Sequence, residues 1–158
     1  MRVLQSALHV DLWKSLGANP TAVPITEAYN ALSTGVVDYM DMTKSGYEAL
    51  KLYEVVPSFT ETSHIWALGA IYMSSDYWQN LTAEQQAVFT RAGKSAAAFF
   101  NELAAREQNI SLSKTVQLGA SVITPDIRLW QHAMSPFWES YAPKVGGLER
   151  ILRIVATE

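Results

Sequence analysis

The sequence contains no cysteine, which excludes disulfide bonds and thiolate metal sites. It has no excess of positive charge, because 12 lysines and arginines stand against 15 aspartates and glutamates without any basic run. We therefore expect no nucleic-acid partner. No apolar run approaches the roughly 20 residues that a membrane span needs. After Met1 the chain continues with one arginine and no long apolar run, so we expect no signal peptide at this start.

The sequence also lacks the motifs that most enzyme classes require. It has no glycine-rich phosphate loop and no G-x-S-x-G nucleophile elbow. No nucleophile, base and oxyanion site can be assembled from its patterns, so we expect no catalysis and no cofactor. The 158 residues, 49% of them hydrophobic and 17% charged, are enough for one sizeable core. Five tryptophans and seven tyrosines serve either that packing, which composition alone favours, or the walls of a ligand cleft.

Strand and helix patterns alternate over the first 55 residues. Apolar pairs typical of short strands precede segments with helical spacing, and Gly17 and Gly35 stand where helices usually end. The predicted strands are 2–6, 21–25 and 36–42, and the predicted helices are 7–17, 26–34 and 45–55. Three strand–helix units indicate a mainly parallel sheet covered by helices, which is an α/β fold.

The second half is dominated by one helical pattern, residues 81–120. Thr82 and Gln85 have the spacing of a capping box, which predicts where this helix begins. An extended run over 57–75 precedes it. A strand over 121–125, a helix that begins at Asp126 and is broken or restarted at Pro136, and a closing helix over 146–155 follow it.

Few charged or titratable residues stand out by position. His9, His64 and His132 follow no metal-ligand spacing, so we expect each to be structural or exposed. Asp38 and Asp41 lie at the end of a predicted strand, a common place for ligand contacts, although a turn pair is the simpler interpretation. Arg2 precedes an apolar strand and has the side chain that best holds a carboxylate, but its position alone favours a solvated arginine.

Several segments together resemble one protein family. The chain reads "MRVLQS", "GANPTAVPITEAYNALSTGVVD", "LKLYEV", "TSHIW" and "SSDYWQNLTAEQQ" in this order. It therefore resembles the DctP-type solute-binding subunit of tripartite ATP-independent periplasmic (TRAP) transporters, over the C-terminal portion of that family only. The resemblance implies an α/β fold like that of class II periplasmic binding proteins, with the second lobe plus C-terminal helices present and the first lobe mostly missing.

The resemblance also implies a substrate site. Arg2 falls on the arginine that pairs with the substrate carboxylate, and Ile25 falls where many members carry an aromatic residue. Asp41 and Met42 fall on a Glu-Asn pair whose second residue often hydrogen-bonds the substrate. Because Met42 cannot replace an amide, we expect a less polar carboxylate, aromatic or aliphatic, rather than sialic acid or a C4-dicarboxylate. Weaker wall candidates are Gln5 and Trp66, and core packing is an equal alternative for Trp66.

In this interpretation residues 1–66 belong to the second lobe, 67–107 cross to and pack on the first lobe, and 108–158 return as C-terminal helices. Without the first lobe, apolar faces of the crossing segment would be exposed. The expected function is periplasmic capture of a carboxylate for a membrane permease driven by an ion gradient. A homodimer is possible in this family. The alternative is a non-transport α/β module that homo-oligomerises through its exposed long helix.

Overall fold

The computed structural model describes residues 1–157, so Glu158, the last residue of the segment 108–158, lies outside the described residues. Two small parallel sheets organise the chain. The first pairs β1 (Arg2–Val3) with β2 (Thr21–Ala22), and the second pairs β3 (Ser58–Thr60) with β4 (Ser121–Ile123). Both pairs are parallel, as the strand–helix alternation predicts.

Helices connect and cover these strands. The α-helices are α1 (Ala7–Ser15), α2 (Ala28–Ser33), α3 (Lys44–Ala49), α4 (Ser75–Gln79), α5 (Ala83–Gln117), α6 (Ile127–Tyr141) and α7 (Leu148–Val155). Short 3-10 turns cover Ile25–Glu27, Leu52–Glu54 and Ala142–Val145. Within residues 1–157, no helix combines the length and the apolar character that crossing a membrane requires.

The predicted capping box of α5 is confirmed. The side chain of Thr82 accepts a hydrogen bond from the backbone N–H of Gln85, and the Gln85 side chain accepts one from the backbone N–H of Thr82. Asp126 caps α6 as predicted, with its carboxylate accepting from the N–H of Arg128. These reciprocal bonds satisfy backbone donors that a helix start leaves without partners.

Three local predictions differ from the structure. Residues 36–42 do not form a strand, because only Met40 pairs, through a single parallel bridge to Arg2. The extended run 57–75 is a strand only over β3. Pro136 does not interrupt α6, which continues through it. Its neighbours Met134 and Phe137 are buried, and their packing outweighs the hydrogen bond that proline cannot make.

The core consists of two clusters. One contains Ala31, Leu32, Val37, Tyr47, Leu52 and Ala120, and joins α2 and α3 to the start of β4. The other contains Met1, Val3 and Trp13, with Trp130 of α6 packed against it. The C-terminal part of α5 packs against α3. Its Leu112 and Thr115 are buried, and its Lys114 forms an ion pair with Glu48 of α3.

Residues 66–74 and the first half of α5 present large apolar side chains to solvent. Leu68 and Tyr72 are each 92% exposed. Phe99 and Phe100, adjacent on α5, are exposed as well. Apolar surface of this extent on a folded chain normally contacts another protein surface.

Candidate ligand site around Arg2 and Asp41

Arg2 is buried rather than solvated. Only 2% of its surface is exposed, because β1 is enclosed by β2 and by the backbone near Tyr39. Its Nε donates a hydrogen bond to the carbonyl oxygen of Val23 at 2.9 Å. Among residues 1–157, the guanidinium makes no other hydrogen bond. Burial lowers the pKa of Arg2, and the negative charge of Asp41 acts in the opposite direction. A buried guanidinium with unused donors is a strong site for an anion.

The backbone places Asp41 next to Arg2. The N–H of Arg2 donates to the carbonyl oxygen of Tyr39 at 2.8 Å, and the bridge to Met40 continues this contact. The Asp41 side chain that follows is only 4% exposed. Its Oδ1 is buried without a hydrogen-bond partner among the described residues. This carboxylate therefore remains a fixed negative charge inside the site.

Two histidines flank the other oxygen of Asp41. Nδ1 of His9 lies 3.4 Å and Nε2 of His64 lies 3.8 Å from Oδ2 of Asp41. Burial raises the pKa of Asp41, but the attraction of His64 and then of His9 outweighs it, so the pKa lies below its usual value. At 3.8 Å the effect of His64 is electrostatic rather than that of a well-formed hydrogen bond.

Neighbouring groups fix the His64 ring. Its Nδ1 is 2.6 Å from Oγ1 of Thr62, and Trp13 packs against it edge-on with ring centroids 5.2 Å apart. Trp130 packs edge-on against Trp13 in turn. The two tryptophans thus form a rigid apolar wall beside the charged groups.

A cavity of 320 Å³ opens next to this cluster. Asp41, His64 and the hydroxyl residues Ser58, Thr60 and Thr62 supply polar lining, and the rest is apolar or aromatic. Its aromatic lining residues are Trp13, Tyr39, Tyr47, Phe59 and Trp130. A cavity of this size, apolar with a few polar groups, is typical of a small-molecule site.

The predicted site residues divide into two groups. Asp41 and Met42 line the cavity, and Met42 packs against Gly46. Arg2 neighbours Asp41 but is not itself a lining residue. Gln5 is exposed after β1, Ile25 is 41% exposed, and Trp66 is 73% exposed. These three are not cavity-lining residues, and core packing of Trp66 is wrong for this chain.

Sequence reasoning missed the two histidines of this site. They lie 32 and 23 residues from Asp41, so no spacing rule connects them. The prediction that His9 and His64 are merely structural or exposed overlooks their contact with a buried carboxylate. Within residues 1–157, no three histidine, aspartate or glutamate side chains are arranged to bind one metal ion. His9, Asp41 and His64 form a cluster of titratable side chains next to the cavity.

A cavity beside a buried carboxylate on a small parallel α/β scaffold fits a protein that binds small molecules, and comparison with known sequences shows the family. The profile of bacterial extracellular solute-binding proteins, family 7 (DctP), matches residues 1–144. The chain belongs to this family. A solute-binding protein of Sulfitobacter sp. is 32% identical over 150 residues, covering 92% of this chain and 45% of that protein. A C4-dicarboxylate-binding periplasmic protein of Shewanella loihica is 28% identical, covering 92% and 44%.

Crystal structures confirm the fold class, that of class II periplasmic binding proteins. A TRAP periplasmic solute binding protein of Roseobacter denitrificans, with bound β-D-glucuronate, superimposes with a TM-score of 0.87 at 26% identity, covering 99% of this chain and 53% of that one. One from Bradyrhizobium sp., with bound D-galacturonate, gives 0.80 at 32%, covering 90% and 48%. The chain spans about half the length of the relatives it matches.

Proposed function

We propose that the protein carrying this chain is the extracytoplasmic solute-binding subunit of a TRAP transporter, and that it captures an organic acid through Arg2. The observation that carries this proposal is the buried guanidinium, which uses one donor on Val23 and neighbours Asp41, a lining residue of the 320 Å³ cavity. A carboxylate takes two parallel hydrogen bonds from such a group. The protein binds its solute without transforming it.

The ligand class follows from the relatives and from the cavity. Several structural relatives hold hexuronates, such as galacturonate and glucuronate, which carry one carboxylate and several hydroxyls. Asp41 and His64 supply polar lining for hydroxyls here, whereas Met42 adds an apolar wall. The sequence predicts a less polar acid. We therefore propose a solute with one carboxylate and with hydroxyl groups on only part of the rest of the molecule. Ile25, Gln5 and Trp66 stay proposed contacts of the closed form.

The exposed apolar residues fit the same function. We propose that segment 67–107 packs on a first lobe in the complete protein, and that residues 1–66 and the C-terminal helices form the second lobe. Exposure of Leu68, Tyr72 and Phe99 in the present chain supports this division. The complete protein would close both lobes on the solute in the periplasm and deliver it to membrane permease subunits.

The exposed side chains also support the alternative, in which this face joins two copies through α5. The two functions differ in what stabilises the fold. Association predicts a melting temperature that rises with protein concentration, whereas solute capture predicts one that rises with solute concentration.

The experiment is a thermal melt of the complete protein with D-galacturonate and with D-galactose, which differ by the carboxylate. Galacturonate at 100 times its dissociation constant should add about 2.7 kcal/mol of stability, and galactose should add none. Equal responses to both sugars, or no response to D-galacturonate, D-glucuronate or simple aliphatic acids, would contradict capture through Arg2.

A further inference from the structure

The group of Asp41, His9 and His64 carries charges that carboxylate capture by itself does not require. Arg2 would suffice to hold an anion, yet a buried carboxylate lies beside it and attracts it electrostatically. A solute carboxylate that binds Arg2 brings a second negative charge into the same neighbourhood. Two carboxylates close together favour the uptake of a proton nearby.

Histidine is the residue suited to take up that proton. His9 and His64 contact Asp41 and are only 17% and 20% exposed at their side chains. Among side-chain types, histidine is the one whose unperturbed charge change falls between about pH 5 and pH 8. A protonated ring places a positive charge 3.4 Å (His9) or 3.8 Å (His64) from Oδ2 of Asp41, which offsets the repulsion between Asp41 and the solute carboxylate.

We propose that His9 is a positioning residue that, acting through Asp41 and together with His64, couples carboxylate binding at Arg2 to the uptake of a proton. This inference rests on the proposed function. The proton comes from solvent and resides on an imidazole nitrogen, and no covalent bond of the solute changes.

Other titratable groups around Asp41 do not supply this proton in the same range. Tyr39 and Tyr47 line the cavity with phenol groups, and burial raises the pKa of Tyr47 further above its usual value. The terminal ammonium of Met1 donates to the carbonyl oxygen of Asn19 at 3.0 Å. Arg2 stays charged throughout. Of these groups facing Asp41, the two histidines are thus the residue type suited to take up a proton.

Reciprocal linkage gives the coupling its direction. Because binding takes up a proton, lower pH strengthens binding, by at most about tenfold per pH unit for one proton. We expect the affinity for D-galacturonate to rise severalfold in total from about pH 8 to about pH 6. The solute would be held more tightly in a mildly acidic medium.

The test is isothermal titration calorimetry of the complete protein with D-galacturonate near pH 8 and pH 6, in two buffers of different ionisation enthalpy. The expected result is a net proton uptake between zero and one per solute. His9→Asn keeps a nitrogen near the position of Nδ1 but cannot be protonated, so its uptake should fall and its deficit in affinity should grow as pH decreases. His132→Asn is the matched control, because His132 is exposed on α6. It should behave as wild type.

The outcomes separate the two proposals. Affinity that does not change with pH, without proton uptake, would overturn the coupling and leave carboxylate capture intact. A His9→Asn variant with the full pH dependence of the wild type would overturn the role of His9. If D-galacturonate, D-glucuronate and simple aliphatic acids all fail to bind at either pH, the proposed function fails and the coupling fails with it.

Discussion

The Nε atom of Arg2 donates a hydrogen bond to the carbonyl oxygen of Val23 at 2.9 Å, across the pair of strands β1 and β2. This bond fixes the orientation of the guanidinium while the side chain is buried. The planar fork of an arginine can keep further donors available when one is engaged. A lysine has no such fork. Arg2→Lys should therefore preserve the charge but weaken carboxylate binding, as titration calorimetry with D-galacturonate would measure.

Asp41 should make stability depend on acid pH. Its pKa is lower in the folded state than in the unfolded chain, so its stabilising contribution is complete above the unfolded pKa of about 4 and is lost as pH falls through the folded value. Asp41→Asn should therefore reduce the free energy of unfolding at neutral pH, by about 1–3 kcal/mol. Urea unfolding at several pH values should show this difference shrinking below about pH 4. A constant difference would contradict the assignment.

The chain's local signals predicted its local structure. Thr82 and Gln85 identified the start of α5 because a capping box depends on residues three apart. Gly35 adopts the left-handed conformation, with φ of 72°, directly after α2 as expected of a helix terminus. Arg2 and Asp41 were found through family resemblance, since position alone favoured a solvated arginine.

Long-range contacts explain what the sequence did not predict. The apolar run 36–42 looks like a strand, but only Met40 pairs, through one bridge to Arg2. The N–H of Arg2 donates to the carbonyl oxygen of Tyr39, and the pairing does not extend further along the run. The histidine contacts with Asp41 depend on how α1 and the segment after β3 pack together. No periodicity encodes such packing, so the site chemistry became visible only in three dimensions.

Gly46 should be intolerant of a side chain. A Cβ there would overlap Cε of Met42 and lie 2.9 Å from Oγ1 of Thr43, the cap of α3. We expect Gly46→Ala to cost about 1–3 kcal/mol of stability, measured by chemical denaturation. Combining it with Met42→Ala should cost less than the sum of the two single changes.

Gly93 is the matched control for this prediction. It lies in α5, and nothing lies within 4 Å of a Cβ built there. Gly93→Ala should be neutral or stabilising by up to about 1 kcal/mol, because alanine favours a helix more than glycine does. If the stability losses of Gly46→Ala and Met42→Ala were simply additive in the double variant, the side chains at positions 46 and 42 would not clash, and the Gly46 prediction would be contradicted.

Leu52 should be a major contributor to the core. It is fully buried in the cluster that joins α2 and α3 to β4. Leu52→Ala leaves a cavity and should lower the free energy of unfolding by about 2–5 kcal/mol. Leu68→Ala, at a position that is 92% exposed in this chain, should change the stability of the chain by no more than about 0.5 kcal/mol. A large loss for Leu68→Ala would show that segment 67–107 is anchored within these residues.

The central claim is that Arg2 holds the carboxylate of the solute. Isothermal titration calorimetry of the complete protein with D-galacturonate, comparing wild type, Arg2→Ala and the control Arg153→Ala, which is exposed on α7, tests it most directly. The account predicts that Arg2→Ala loses about 2–5 kcal/mol of binding free energy, as removal of one partner of a buried charge pair does, while Arg153→Ala binds as wild type. Equal affinity of wild type and Arg2→Ala would contradict it.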